Sequence, residues 1–170
     1  NTDRYRNKVQ FPIVKTSIGF YAARTHDLTD VEDCLLQPAA CSNLRRALKG
    51  YMAAYQVPAY DERTGKGLLR HLYVRTNQAG ESLCCVLCNG KALPHEPELT
   101  EARRAAEPSL VGVVLGINEK KTNVILGDSY RTIWGRDYLM DTLRSLTFRL
   151  SVPSFYQVNA PQAQVLYGLA

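Results

Sequence analysis

Arg70-His71-Leu72-Tyr73-Val74-Arg75-Thr76-Asn77, then Gln78-Ala79-Gly80-Glu81, then Leu83-Cys84-Cys85-Val86-Leu87, is the most informative stretch of this chain. In its first part Leu72, Val74 and Thr76 alternate with His71, Tyr73, Arg75 and Asn77, the period of a strand with one face on a core. The residues from Leu83 to Leu87 are apolar throughout, which fits a strand covered on both faces. The four residues between them, with Gly80, suit a hairpin connection. The middle of the chain therefore predicts an antiparallel pair whose second strand lies deep in a sheet.

Towards the N-terminus, Leu44, Leu48, Tyr51, Met52 and Tyr55 recur at helical spacing, with Arg45, Arg46 and Lys49 on the other face. Ser42 or Asn43 is the expected cap, and Pro58 marks the end. Further back, Val9-Gln10-Phe11-Pro12-Ile13 alternates. Val9, Phe11 and Ile13 should point inward, and Arg6, Lys8 and Gln10 should share the wet face. A second strand around Ile18 to Ala23 completes a hairpin. Tyr60 to Lys66 reads as a turn-rich loop.

Towards the C-terminus, Pro94-His95-Glu96-Pro97 opens a short polar helix reaching about Ala106. Leu110 to Asn118 predicts a strand that turns at Glu119-Lys120-Lys121 and returns through Val124 to Leu126. Strand-like pieces follow near Tyr130 to Trp134 and Leu146 to Leu150, and Ala160 to Ala170 should be helical. The whole reads as α+β, a largely antiparallel sheet built from hairpins with two internal helices. The order hairpin, helix, hairpin, helix, hairpin hints at a duplicated unit, although no residue-level repeat accompanies it. Residues 1–153 form one α+β domain on this reading, and 154–170 a junction with the start of a helix.

Composition is that of a folded domain, 45% hydrophobic and 22% charged. The longest apolar run, Leu110 to Ile117, is too short to span a bilayer, and the chain opens on no signal peptide. The cysteine count is odd, which with no secretion signal argues against a disulfide framework and for the cytoplasm. A net charge of +5 suits a polyanionic partner. The opening Asn-Thr-Asp-Arg, without Met, reads as the start of an excised piece.

Short motifs yield little chemistry. Cys85 and Cys88 form a CxxC inside a strand, where residues three apart point to opposite faces, so buried structural thiols are expected. His26-Asp27 are neighbours that rarely face one another, and His71 and His95 stand alone where zinc needs three or four ligands. Gly65-Lys66-Gly67 lacks the rest of a phosphate loop. Gly112 and Gly116 read as packing glycines in a strand. The face of His71, Tyr73, Arg75 and Asn77 mixes cations, aromatics and amides. That composition suits a surface that stacks on bases and grips phosphates, and equally an ordinary wet sheet face.

Two segments carry a stronger signal: Tyr5-Arg6-Asn7-Lys8-Val9-Gln10-Phe11, and Ser154-Phe155-Tyr156-Gln157-Val158-Asn159 with Gln162 and Leu166-Tyr167 after it. Between them lie Gly19-Phe20-Tyr21, His26-Asp27-Leu28 and Val31-Glu32-Asp33-Cys34-Leu35-Leu36-Gln37. In order and spacing these resemble the bacterial RNA (uracil-5-)-methyltransferase family, which methylates C5 of uridine in 23S rRNA or tRNA with S-adenosylmethionine. The iron–sulfur branch that acts on 23S rRNA is the most similar. The resemblance spans nearly all of this chain and less than half of a full family member.

The resemblance implies roles for particular residues. Gln157 would help hold S-adenosylmethionine, with Phe155 packing near the cofactor or the flipped base. A plainer reading makes Phe155 core and Asn159 a helix cap. Ser151-Val152-Pro153 departs from the family's usual Pro directly after Ser. Cys34 resembles the fourth ligand of a [4Fe–4S] cluster whose other three cysteines would lie upstream. Arg6, Lys8, His71, Tyr73 and Arg75 are the candidate RNA-binding residues. The family's Cys nucleophile, its base and most of the cofactor site belong to a Rossmann-like domain beyond Ala170, and no cysteine here has the Asp-Pro-Pro-Arg context. The chain alone is therefore expected to be inactive, with RNA, 23S ahead of tRNA, as partner, and neither membrane nor DNA. Two rivals remain open: a freestanding RNA-binding module, and an unrelated metabolic enzyme.

Overall fold

The computed structural model describes residues 3–25 and 27–169. The chain opens with an antiparallel meander, β1 (Lys8–Val14), β2 (Ser17–Tyr21) and β3 (Leu28–Asp30), followed by helix α1 (Ala39–Tyr55). The central hairpin is β4 (Leu69–Thr76) and β5 (Ser82–Cys88), and α2 (Glu96–Ala106) leads to β6 (Leu110–Ile117) and β7 (Ser129–Gly135). A last hairpin, β8 (Tyr138–Leu143) and β9 (Leu146–Ser151), precedes α3 (Ala160–Leu169). Seven strands form one sheet in the order β3-β2-β1-β4-β5-β6-β7, while β8 and β9 pair apart. Every neighbouring pair in the sheet is antiparallel except β5 and β6, which run parallel across the α2 crossover. The α+β reading holds. The two helical crossovers differ, because α1 leads from the edge strand β3 past β2 and β1 to β4, whereas α2 joins the parallel neighbours β5 and β6.

Both faces of the sheet are covered. Leu44, Leu48 and Met52 of α1 and Leu99 of α2 pack on Val9, Phe11, Ile13, Leu72, Val74, Cys84, Val86 and Cys88. On the opposite face Tyr73, Leu83, Cys85, Leu87 and Val114 meet Leu139 of β8 and Val152. This two-sided cover explains why β5 is apolar without alternation and buried at every position. It also puts Cys85 and Cys88 in different cores, as their spacing in a strand requires. Among the described residues no helix is long and apolar enough to cross a membrane.

Several expectations need correction. The face of β4 predicted to be wet is closed: Tyr73 is fully buried, Arg75 is 1% exposed and Asn77 is buried. The β8–β9 hairpin lies over it, and polar side chains persist there because they bind that layer's backbone. Asn77 Nδ2 donates to the Met140 carbonyl at 2.8 Å, and Gln78 Nε2 to that of Thr142 at 2.6 Å. Strand β8 escaped notice because its inward positions include a carboxylate, Asp141, which is buried and accepts from Gln78 and from the Thr142 N–H of its own strand.

The expected return strand at Val124 to Leu126 is a loop, and β6 pairs instead with β7. Side chains take the loop's backbone acceptors. Arg70 donates to the carbonyls of Asn118, Lys120 and Thr122 at 2.7–3.0 Å. Asn118 Nδ2 donates to that of Val124 at 2.6 Å. Helix α1 starts at Ala39 behind Pro38, ahead of the expected cap. Ser42 Oγ instead donates to Asp33 and Asn43 Nδ2 to Glu107. Arg45, expected on the open face, is buried and donates to the Ile18 carbonyl and to Asp30, fastening β2 and β3 to the helix. His26 lies outside the described residues, so the His26-Asp27 pairing does too.

Candidate functional site

The two segments nearest the ends of the chain meet. The Asn7 amide N–H donates to the Val158 carbonyl at 2.9 Å, and its Nδ2 donates to the Gln157 carbonyl at 3.0 Å. Arg6 and Asn159 form an isolated antiparallel bridge beside them. On the other side of this strip the Thr76 N–H donates to the Asn7 carbonyl at 2.8 Å, so Asn7 sits between β4 and the junction. The Cys34 loop joins the same strip, with the Arg6 N–H donating to the Leu36 carbonyl at 2.9 Å and the Arg4 N–H to that of Leu35 at 2.6 Å.

The junction is held from below as well. Arg75 Nη1 and Nη2 donate to the carbonyls of Ser151 and Ser154 at 3.2 and 2.6 Å. The Ser151 N–H donates to Ser154 Oγ at 3.0 Å. Tyr156 is buried with its ring centroid 5.9 Å from that of Phe148. Asn159 caps α3, its Oδ1 accepting from the Gln162 N–H at 3.1 Å, as the sequence suggests. Pinned at Ser151, Ser154, Gln157 and Asn159, the segment presents Phe155 with 83% of its surface exposed. Phe155 is therefore not core. Gln157 is half-buried, and its side-chain amide makes no hydrogen bond among the described residues.

Cations border this edge. Lys8 lies opposite Arg75 in the β1–β4 register, so both side chains rise from the same face. Burial lowers the Lys8 pKa, and the charges of Arg75 and Arg6 push it the same way. Arg6 is exposed and Lys8 half-buried. His71 lies at the other end of β4, opposite Pro12, far from this strip. Tyr73 and Arg75 are sealed beneath the hairpin, which removes them from any open RNA face, while Arg75 acquires the separate task of holding the junction.

Cys34 is half-buried in a loop clamped by Arg4. The guanidinium donates to both Asp33 oxygens at 2.9 and 2.6 Å and to the carbonyls of Cys34 and Gln37. Among the described residues no group of three or more His, Cys, Asp or Glu side chains could hold a metal. Burial raises the thiols of Cys41 and Cys88 to about 12, and that of Cys85 well above its ordinary value. Cys84 is fully buried and receives a hydrogen bond from Arg103. The strip thus offers an aromatic ring, an unengaged amide and cations, groups that bind and position. Sequence reasoning missed Asn7, Arg4 and Arg75 as its fasteners. Arg75 alone has a signal, a polar residue inside an otherwise buried strand, and an exposed strand shows the same pattern.

No family model matches this chain. Curated relatives do. An uncharacterized RNA methyltransferase of Clostridium tetani is 37% identical over the whole chain. Ones from Halalkalibacterium halodurans and Staphylococcus aureus are each 36% identical over 98% of it. The chain is similar to these RNA methyltransferases along nearly its whole length. It spans only 38% of each of them. The crystal structure of Pyrococcus abyssi tRNA (uracil-54, C5)-methyltransferase in complex with S-adenosyl-L-homocysteine has the same fold. It aligns over 99% of this chain and 41% of that one with a TM-score of 0.82, at 19% identity. The α+β domain with its closed strip is therefore a unit that fits within longer RNA methyltransferases.

Proposed function

We propose that this chain is the central part of an S-adenosylmethionine-dependent RNA methyltransferase that methylates C5 of uridine, in 23S rRNA or tRNA. It supplies RNA-facing surface and one edge of the cofactor cleft, in the cytoplasm, and transfers no methyl group by itself. The observation that supports this best is the convergence of residues 4–7, 34–37 and 157–159 on one strip. These are the segments that carry the resemblance, and they lie far apart in sequence.

In this reading Gln157 faces the methyl donor, since its amide donates and accepts and no neighbour engages it. Phe155 stands beside it as an apolar wall for the cofactor or the flipped base. Arg6 and Lys8 grip phosphate along the same edge. Cys34 is the single thiolate this chain contributes to a [4Fe–4S] cluster, whose remaining ligands would come from elsewhere in the longer protein. A bound cofactor supplies the electrophilic methyl group; the residues here orient it and exclude water from it.

The test uses a protein of the relatives' length alongside this chain. In the longer protein Gln157→Ala should weaken S-adenosylmethionine binding about tenfold, the loss of a hydrogen-bonding group worth about 1.4 kcal/mol. Arg6→Gln with Lys8→Gln should flatten the salt dependence of RNA binding by about 0.7 in log–log slope per lost phosphate contact. Tritium release from C5-tritiated uridine should be found with 23S rRNA or tRNA, and not with this chain alone. Methyl transfer by the chain alone, or cofactor affinity indifferent to Gln157, would sink the reading.

A further inference from the structure

At the far end of β1 from the strip lies a groove that the cofactor edge does not use. In register, Lys8 pairs with Arg75 at one end and Pro12 with His71 at the other, roughly 13 Å along the strand. The groove encloses about 440 Å³ between the β1–β2 turn and the 59–63 loop, and its lining includes Lys15, Tyr21, Tyr60, Glu62, Arg63 and His71. A second hollow of about 200 Å³ continues from it past Tyr60, Glu62 and Arg70 to Lys121. The larger part falls within the roughly 300–1,000 Å³ of ordinary ligand sites.

Its chemistry is aromatic and cationic. Tyr21 has 47% of its surface exposed, and Tyr60 forms the floor with the Arg70 guanidinium 4.5 Å over its ring. Lys15, Arg63 and Lys121 make no ion pair among the described residues. Asp61 is folded into its own turn, accepting from the Arg63 N–H at 2.9 Å. Glu62 remains as an acceptor for an exocyclic amino group of a base. The walls are set in advance. The three carbonyls gripped by Arg70 fix the 118–122 loop that carries Lys121. Gly67, at φ +98°, lets the 59–69 backbone close where a Cβ would fall 2.0 Å from the Ala59 carbonyl oxygen.

We infer that this groove is a second RNA contact, a site for an unpaired nucleotide whose base packs on Tyr21 and whose flanking phosphates meet Lys15, Arg63 and Lys121. The inference rests on the RNA-facing reading above and adds a place and a preference to it: single-stranded over duplex RNA. Aromatic rings with cations at their rims suit splayed bases, because every base has a face to stack and a phosphate beside it. A duplex keeps its bases inside the helix and offers the groove only phosphates.

The test is fluorescence anisotropy of the chain with a short labelled single-stranded RNA, its duplex, and the same strand carrying abasic positions, with thermal melting to confirm folding. Tyr21→Ala should weaken single-strand binding about tenfold, one stacked base lost. Tyr21→Phe should retain it. Lys15→Gln with Arg63→Gln should reduce the salt slope by about 0.7 per contact. On the abasic strand, Tyr21→Ala should make no difference. If the groove variants bind like the parent while Arg6→Gln with Lys8→Gln weakens binding, the groove is overturned and the RNA-facing strip stands. If the parent chain shows no salt-sensitive RNA binding, both readings fall.

Discussion

Arg75, next to last in β4, donates from Nη2 to the carbonyl of Ser154 at 2.6 Å, so a residue of the central sheet holds the loop that carries Phe155 and Gln157. A second bond, from Nη1 to Ser151, completes a fork on two carbonyls. Arg75 is 1% exposed and forms no ion pair among the described residues. Burial lowers its pKa, countered by the nearby phenols of Tyr73 and Tyr156. Replacing it with Met would leave the Ser154 carbonyl without this donor and the Ser151 carbonyl with only the Ser154 N–H at 3.2 Å, at a cost of about 1–3 kcal/mol. Urea denaturation should show that loss for Arg75→Met and a smaller one for Arg75→Lys. Protease nicking should appear between Val152 and Tyr156. An Arg75→Met variant as stable as the parent would remove the fork from the account.

His71 gives the fold an acid sensitivity. Burial first, then the Arg70 charge, depress its pKa to about 4. An unfolded chain binds the proton near pH 6.5 while the native chain refuses it until about pH 4. Unfolding therefore becomes easier as pH falls through that window, and stability is retained above it. His71→Gln should flatten the unfolding free energy between pH 6.5 and 4, measured by urea titration at a series of pH values.

Asp33 acts lower on the scale. The Arg4 guanidinium, then the Ser42 hydroxyl, hold its carboxylate far below the usual range. A depressed carboxylate stabilises above its unfolded value of about 3.9 and loses that contribution as pH drops further. Asp33→Asn should reduce the acid slope below pH 4 and leave the region around neutrality nearly flat. It should also free the Cys34 loop, visible as faster alkylation of that thiol.

Thiol reactivity should divide four against one. Cys41, Cys84, Cys85 and Cys88 are buried with raised pKa values, while Cys34 is half-buried in a surface loop. Iodoacetamide at mildly alkaline pH should label Cys34 first, read by peptide mass spectrometry, because the thiolate is the reacting form. Early labelling at Cys85 would contradict the two-sided burial of β5.

Two glycines in β6 should differ in tolerance. A Cβ on Gly112 would lie 1.7 Å from the Arg136 carbonyl oxygen, a backbone atom that cannot swing aside. On Gly116 the nearest atom, at 2.5 Å, is the end of the Leu87 side chain. Gly112→Ala should cost more than Gly116→Ala, about 3 kcal/mol or more against about 1–2, from the overpacking of a filled core. Equal melting temperatures would show that β6 and β7 can slide apart.

Much of the fold was legible because periodicity reports burial. The alternation of Val9, Phe11 and Ile13, the helical spacing of Leu44, Leu48 and Met52, and the unbroken apolar run of β5 all mark surfaces that meet a core. The pattern cannot say what a polar residue does once inside. Tyr73, Arg75 and Asn77 have the composition of a wet face, yet Tyr73 packs in the second core, and Arg75 and Asn77 donate to backbone carbonyls more than sixty residues away. The return strand failed for a related reason, since Arg70 and Asn118 satisfy acceptors that a strand partner would otherwise take. Of the candidate site, Asn159 and the placement of Gln157 near Arg6 and Lys8 follow from segments that could be named in advance. Their meeting depends on Asn7, which carries no signal of its own.

The bond from Asn7 to Gln157 spans 150 residues. In an otherwise unfolded chain, closing a loop of that length costs about 4 kcal/mol in entropy. It must therefore come late, after the sheet has drawn the two segments together. The edge that carries Phe155 and Gln157 is thus assembled last. A partly folded molecule displays Phe155 and Gln157 on a loose tail, so only the finished domain presents the two side chains on one fixed surface.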